Sequence, residues 1–339
     1  MNASCKPVVA LTLGDPAGIG AELIARLLAR PEATQPANVV LVGDPWLWER
    51  GQSEAGTSVK TRAVASLVEV RARDHASMPA FLPVDSVAPG AVQLGAARAA
   101  GGKSALANLD LCLDAAKRGE IDAICFAPLN KYALKQGGMN HEDELHHFAQ
   151  SLGVTGYFCE FNTLGQLWTA RVSSHIPLKE AAGYLSIERI KAATRLIEQS
   201  LKASGNPRPR VAVAAFNPHG GDGGTCGREE VEIIAPAVQQ LQAEGMDVDG
   251  PFPADTIFLR ARDGAYQAIV TMYHDQGQIA IKLLGFANGV TVQGGLPIPI
   301  TTPAHGTAYD IAGKGVANVN AMAHAYQIAC RMAAAPVCA

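Results

Sequence analysis

A chain of 339 residues exceeds the usual span of one domain, and 48% hydrophobic against 17% charged residues suffices for a large buried core. A formal net charge of −3 offers no long-range attraction to nucleic acid or to an anionic membrane surface. Seven cysteines scattered singly, with no CxxC pair, argue against a disulfide framework and read as reduced, mostly buried thiols.

In chain order, the first strand candidate is Val8–Leu13, too short for a signal-peptide core or a membrane span, so the cytoplasm is the expected compartment. The run Gly14-Asp15-Pro16-Ala17-Gly18-Ile19-Gly20 follows as a tight strand-to-helix turn, leading into a helix over Gly20–Ala29 and a strand over Val39–Val42. It is not GxGxxG, and Asp44 precedes a proline instead of closing the second strand, so an ordinary Rossmann fold is not expected. Further on come a helix over Ser104–Arg118, a strand over Ala123–Phe126, a helix over Ile187–Ala203 and a strand over Val211–Ala215. A helix over Glu229–Glu244 and a strand over Ala268–Met272 complete the clear elements. This alternation predicts an α/β chain with a largely parallel sheet. Two glycine-rich stretches, Asn217–Gly227 and Gly285–Gly306, interrupt it and carry histidine and asparagine among the glycines, as site loops at strand ends do.

Nine histidines occur. His175, His219 and His274 each sit near the carboxyl end of a strand candidate or beside a turn, so three imidazoles can converge on one divalent ion. Asp275 and Asp222 are candidate acceptors that set ring tautomers. Taken singly, each histidine is better explained by capping or packing. His141, His146 and His147 share a stretch, but Leu145 holds the place where HExxH needs its second histidine, so a zinc-protease motif is absent. His75 and His324 read as surface or packing residues.

The five glycines of Asn217–Gly227 let backbone N–H groups approach an anion or flat ring at Gly220 and Gly221, or else form a plain surface loop. In the segment running from His305-Gly306-Thr307-Ala308 through Asp310 to Asn318, small residues suit a planar group and Asp310 suits ribose hydroxyls. A carboxylate there disfavours a 2′-phosphate, hence NAD over NADP.

That segment resembles the adenosine-binding loop of the isocitrate/isopropylmalate dehydrogenase superfamily. Four runs together resemble the 4-hydroxythreonine-4-phosphate dehydrogenase (PdxA) family: the Gly14-Asp15-Pro16 turn, Asn217-Pro218-His219-Gly220-Gly221, Tyr273-His274-Asp275-Gln276-Gly277 and His305-Gly306-Thr307-Ala308. The resemblance implies a two-lobed α/β/α fold, with residues 1–128 and 278–339 in one lobe and 129–277, carrying dimer contacts, in the other. It implies a homodimer with shared sites, NAD, and a divalent metal on His175, His219 and His274: zinc foremost, with cobalt, nickel or ferrous iron also suited to imidazoles. Substrate contacts fall on His141 and Lys282, with Lys282 and Asp275 as the acid–base candidates. The implied reaction oxidises a secondary alcohol β to a carboxylate, and the β-keto acid then decarboxylates.

Three departures bear on substrate. Glu142 stands where the family has threonine, Thr291 replaces an asparagine, and Ile300 replaces the arginine of Gly-Leu-Pro-x-x-Arg-Thr. Isoleucine offers a phosphate no donor. These departures favour the terephthalate cis-dihydrodiol dehydrogenase branch, whose substrate, 1,2-dihydroxy-cyclohexa-3,5-diene-1,4-dicarboxylate, is a carboxylated diol that yields protocatechuate. The alternatives are 4-phosphohydroxythreonine or a related sugar-acid phosphate as substrate, a metal hydrolase on the same histidines, and a ligand-binding module.

Overall fold

The computed structural model describes residues 6–71, 78–285 and 288–335; His75, Cys5 and Cys338 lie outside them. The chain divides into two compact units, Met1–Thr155 with Leu296–Ala339, and Gly156–Gly295. The first unit runs β1 (Val8–Thr12), α1 (Gly20–Leu28), β2 (Asn38–Gly43), α2 (Pro45–Ala55), β3 (Arg62–Ala63), α3 (Val68–Arg71), β4 (Ala80–Pro83) and α4 (Ala99–Lys117). It continues with β5 (Ala123–Phe126), α5 (Lys131–Gln136) and α6 (Glu144–Ser151). The second unit begins with β6 (Cys159–Leu164), β7 (Leu167–Arg171), α7 (Leu178–Tyr184), α8 (Ile187–Ala203), β8 (Val211–Ala214) and α9 (Ala235–Ala243). It ends with β9 (Val248–Phe252), α10 (Ala254–Arg262), β10 (Ala268–Thr271), α11 (His274–Gly285) and β11 (Val290–Gly294). The returning chain adds β12 (Ile300–Pro303) and α12 (Asn320–Ala334) to the first unit.

In the first unit the strand order is β3-β4-β2-β1-β5-β12, every pair parallel. Parallel strands need crossovers that cover both sheet faces, so β1, β2 and β5 are unbroken apolar or small-residue runs with almost every side chain buried. The helix α4 starts at Ala99, five residues before the expected Ser104, because Gly101 and Gly102 are held helical by close packing on Pro16 and α5. Burial pushes the Cys112 and Cys125 thiols up to about 12, in keeping with unreactive core thiols.

In the second unit the order is β11-β6-β7-β10-β8-β9. β7, β10, β8 and β9 are parallel, whereas β6 runs antiparallel to both β7 and β11. A two-residue turn, Gly165-Gln166, joins β6 to β7. Glu160, Asn162 and Thr163 make β6 a polar strand with no apolar-run signal. The joins expected at 128/129 and 277/278 fall inside the units, for two reasons. α5 and α6 pack on α4 of the first unit, while α11 packs on β6 and β7, and β11 pairs with β6. Among the described residues no helix is long and apolar enough to cross a membrane.

Ile300 requires a correction. Expected as a substrate contact in place of an arginine, it pairs with Ile124 across the β12–β5 ladder and is 0% exposed, in a core cluster with Val8, Leu113, Phe126 and Phe148. Replacement by alanine is expected to lower folding stability by about 2–5 kcal/mol through the cavity it leaves. The urea midpoint should fall with an unchanged m-value, and KM should not move.

Candidate active site

The second unit places three histidines on one edge of its sheet. β7, β10 and β8 are adjacent and parallel, so their carboxyl ends coincide. His175, His274 and His219 follow those ends within five residues each. The His175 and His274 rings lie 6.0 Å apart between centroids, at an interplanar angle of 41°. His274 opens α11, and its Nδ1 sits 2.7 Å from Asp275 Oδ1, which leaves Nε2 as the nitrogen free to meet a ligand. Asp222 lies in the loop after β8.

That loop has an unusual backbone. Every residue from His219 to Gly224 has positive φ, including the two side-chain-bearing residues His219 (φ 55°) and Asp222 (φ 43°). Left-handed backbone costs a non-glycine residue roughly 1–2 kcal/mol, so surrounding bonds must impose it. The anchor is Glu230, 2% exposed, whose Oε1 accepts from Phe216 N at 2.8 Å and Asn217 N at 2.7 Å. The Asn217 amide donates to Glu230 Oε2 at 2.9 Å and to Glu229 Oε2 at 2.6 Å. Gly221 presses against the same carboxylate so closely that a Cβ would stand 2.5 Å from Oε2. Gly221, expected to touch a cofactor, is therefore buried against Glu230, while Gly220 is half-buried.

A buried polar network lies on the β6–β7–β11 part of the same sheet. Arg171 donates to Asn162 Oδ1 at 2.6 Å, to Glu160 Oε2 at 3.0 Å and to Ser174 Oγ at 2.9 Å, next to His175. The Thr291 hydroxyl accepts from Asn162 Nδ2 at 3.2 Å and reaches Glu160 Oε1 at 3.4 Å. Gln278 of α11 also donates to Asn162 Oδ1. Thr291, expected as a substrate contact, is thus 7% exposed and already engaged. Lys282 lies one turn beyond Gln278 on α11, on its exposed side. Sequence reasoning missed Glu160, Asn162, Arg171 and Gln278; the alternating polar residues of β6 were their only signal.

In the first unit, the 305–318 segment is tied to the strand-to-helix turn after β1. Ile19 N donates to Thr307 O at 3.2 Å, and a Cβ on Gly18 would stand 2.9 Å from Thr307 Cβ, so glycine is required there. Tyr309 Oη donates to Asp15 Oδ2 at 2.6 Å, and Asp15 Oδ1 accepts from Ala17 N at 2.8 Å. Burial pushes the Asp15 carboxyl above the usual carboxylate range, opposed by those hydrogen bonds. Farther along, Arg26 donates to Gly315 O at 2.6 Å and Glu22 accepts from Ala317 N at 2.9 Å. Ala308 adopts φ 44°. His305 and Ala308 are half-buried, whereas Gly306, Asp310 and Asn318 are exposed on this braced segment. The glycine turn after β1 is its support. His141 is half-buried, its ring 5.3 Å from that of His147, and Glu142 beside it is exposed.

The comparisons with known proteins agree with one another. Residues 35–329 match the model of the family described as pyridoxal phosphate biosynthetic protein PdxA. A Pseudomonas aeruginosa protein provisionally named 4-hydroxythreonine-4-phosphate dehydrogenase 2 is 53% identical over 98% of both chains. A D-threonate 4-phosphate dehydrogenase of Salmonella typhimurium is 38% identical over 96% of this chain and 98% of its own. The crystal structure of a 4-hydroxythreonine-4-phosphate dehydrogenase from Burkholderia phymatum superposes with a TM-score of 0.79 at 35% identity, covering 96% of this chain and 98% of that one. A terephthalate 1,2-cis-dihydrodiol dehydrogenase from Burkholderia xenovorans LB400 scores 0.66 at 27%, covering 94% and 95%. These findings do not support the dihydrodiol branch favoured by the substitutions: the relatives that match better carry phosphate-ester names. The chain belongs to the PdxA family, an α/β family distinct from the Rossmann dehydrogenases, and is an oxidoreductase of the dehydrogenase type.

Proposed function

We propose that this protein is an NAD-linked, divalent-metal-dependent dehydrogenase acting on a phosphorylated hydroxy acid, 4-phosphohydroxythreonine or a related sugar-acid phosphate such as D-threonate 4-phosphate. The observation that carries the reading is the placement of His175, His274 and His219 after three adjacent parallel strands of a PdxA-family chain. Imidazole nitrogens stand about 2.0–2.1 Å from zinc, so two rings on one tetrahedral ion have centroids roughly 5 Å apart. The 6.0 Å between His175 and His274 is within about 1 Å of that span. Three neutral imidazoles suit zinc, and cobalt, nickel or ferrous iron next. Such an ion, when bound, supplies Lewis acidity to the substrate hydroxyl, and NAD takes the hydride.

The remaining tasks fall to the chain. Asp275 holds the His274 tautomer with Nε2 outward. Lys282 binds a substrate carboxylate and serves as acid when the β-keto acid loses carbon dioxide, and His141 is a substrate contact in its own unit. The braced 305–318 segment carries the adenosine half of NAD, with Asp310 on the ribose hydroxyls and Asn318 beside it. Gly220 brings backbone close to the cofactor. Glu142 shapes specificity, and two copies of the chain assemble as a homodimer. Because Ile300 is a core residue, its lack of charge does not argue against a phosphorylated substrate.

Purified protein given NAD should oxidise 4-phosphohydroxythreonine or D-threonate 4-phosphate with a kcat/KM on the order of a hundredfold or more above that for terephthalate dihydrodiol. The reverse order, followed by NADH absorbance, would sink the substrate class. Dialysis against a chelator should abolish turnover, and zinc or cobalt should restore it. His274→Ala should cost metal affinity more than the roughly 10–100-fold typical of an outer partner, as read by metal analysis. Tyr309→Phe leaves the Asp15 carboxylate short of a donor and loosens the segment above it. The Kd for NAD should rise about tenfold, in line with one lost hydrogen bond of about 1–1.5 kcal/mol, with cobalt affinity unchanged.

A further inference from the structure

One side chain bridges two of the histidine loops without being a ligand. Gln276 lies in the first turn of α11, two residues after His274. Its Oε1 accepts from Met272 N at 2.7 Å, at the exit of β10, and its Nε2 donates to Ala215 O at 2.7 Å, at the exit of β8. Both ends of one amide are thus spent on the backbone of two neighbouring loops. The link continues on either side. Met272 O accepts from Ser173 N at 3.1 Å and Ser173 Oγ at 2.9 Å, on the loop that leads to His175. Beyond Ala215, Phe216 N and Asn217 N are held by Glu230 on the loop that leads to His219. A second contact joins the same two exits: the Phe216 and Tyr273 rings meet edge to face, with centroids 6.0 Å apart and an interplanar angle of 83°.

We infer that Gln276 is a positioning residue that sets the spacing between the His274 and His219 loops, so that metal affinity depends on it. The inference rests on the metal reading above. The β10–β8 ladder ends at the Val270–Val213 pair, and beyond it, among the described residues, no backbone hydrogen bond joins the loop after β10 to the loop after β8. A side-chain amide with one donor end and one acceptor end replaces the ladder at the level where the imidazoles emerge. Partners outside the ligand set commonly change metal affinity 10–100-fold when removed, because ligands held in place need no ordering on binding.

The test uses the full chain with cobalt(II) as probe, titrated in competition with a chromogenic chelator, alongside the visible spectrum of the cobalt protein. Gln276→Met keeps the volume and removes both bonds; Gln276→Glu keeps an acceptor for Met272 and loses the donor to Ala215. Each should weaken cobalt binding on the order of 10–100-fold and alter the cobalt spectrum. Tyr266→Phe removes a hydrogen bond to Asp249 in the same unit and should leave both readouts unchanged. Unaltered affinity and spectrum in the Gln276 variants, with tight binding by the unsubstituted protein, overturn the positioning role alone. Failure of the unsubstituted protein to bind cobalt overturns the metal reading itself. Should the methionine variant not fold, judged by its urea transition, the glutamate variant decides.

Discussion

The parallel pairing of β7, β10 and β8 is the constraint on which the second unit's chemistry depends. In a parallel sheet every strand ends at the same edge, so the loops that follow must share one surface whatever their separation along the chain. His175, His219 and His274 are far apart in sequence, yet that geometry puts the loops carrying them at one sheet edge, where the His175 and His274 rings come within 6.0 Å. The β6–β7 hairpin closes the arrangement on one side, because reversing direction at β6 ends the run of aligned carboxyl ends.

Buried carboxylates brace the loops that the sheet brings together. Glu230 takes the amides of Phe216 and Asn217, Asp15 takes that of Ala17, and Glu22 takes that of Ala317. Asp44, just past the second strand, accepts from Ser86 N at 2.9 Å, from Ser86 Oγ at 2.5 Å and from Val87 N at 3.2 Å. Unpaired backbone donors are costly once desolvated, and an acceptor with two oxygens can satisfy several at once. The same device therefore appears wherever an irregular segment must hold one shape, including the left-handed turn at His219.

Substrate assignment turned on burial. Ile300 and Thr291 both depart from the family pattern at expected substrate contacts. In the fold one fills the core of the first unit and the other completes a network with Asn162 and Glu160. A substitution relative to a family pattern reports on the substrate only if the side chain reaches it, and neither of these offers an uncommitted group. The names of the more similar relatives then favour phosphorylated acids over the dihydrodiol.

Much of the architecture was legible in the residues. The β-branched apolar runs Val211–Ala215 and Ala268–Met272 are expected as strands and form Val211–Ala214 and Ala268–Thr271, and Ile187–Ala203 carries its own serine cap and apolar face. The family runs around His219, His274 and His305 could also be read directly, because turns and glycines are local requirements. What tertiary structure alone decided was every relation between distant segments. Asn162 meets Thr291 and Arg171, Gln276 reaches Ala215, and Tyr309 reaches Asp15 through pairings that leave no periodic trace. Side-chain hydrogen bonds between separate strands depend on register and loop path, and these are set by the packing of the whole unit and not by neighbours in the chain.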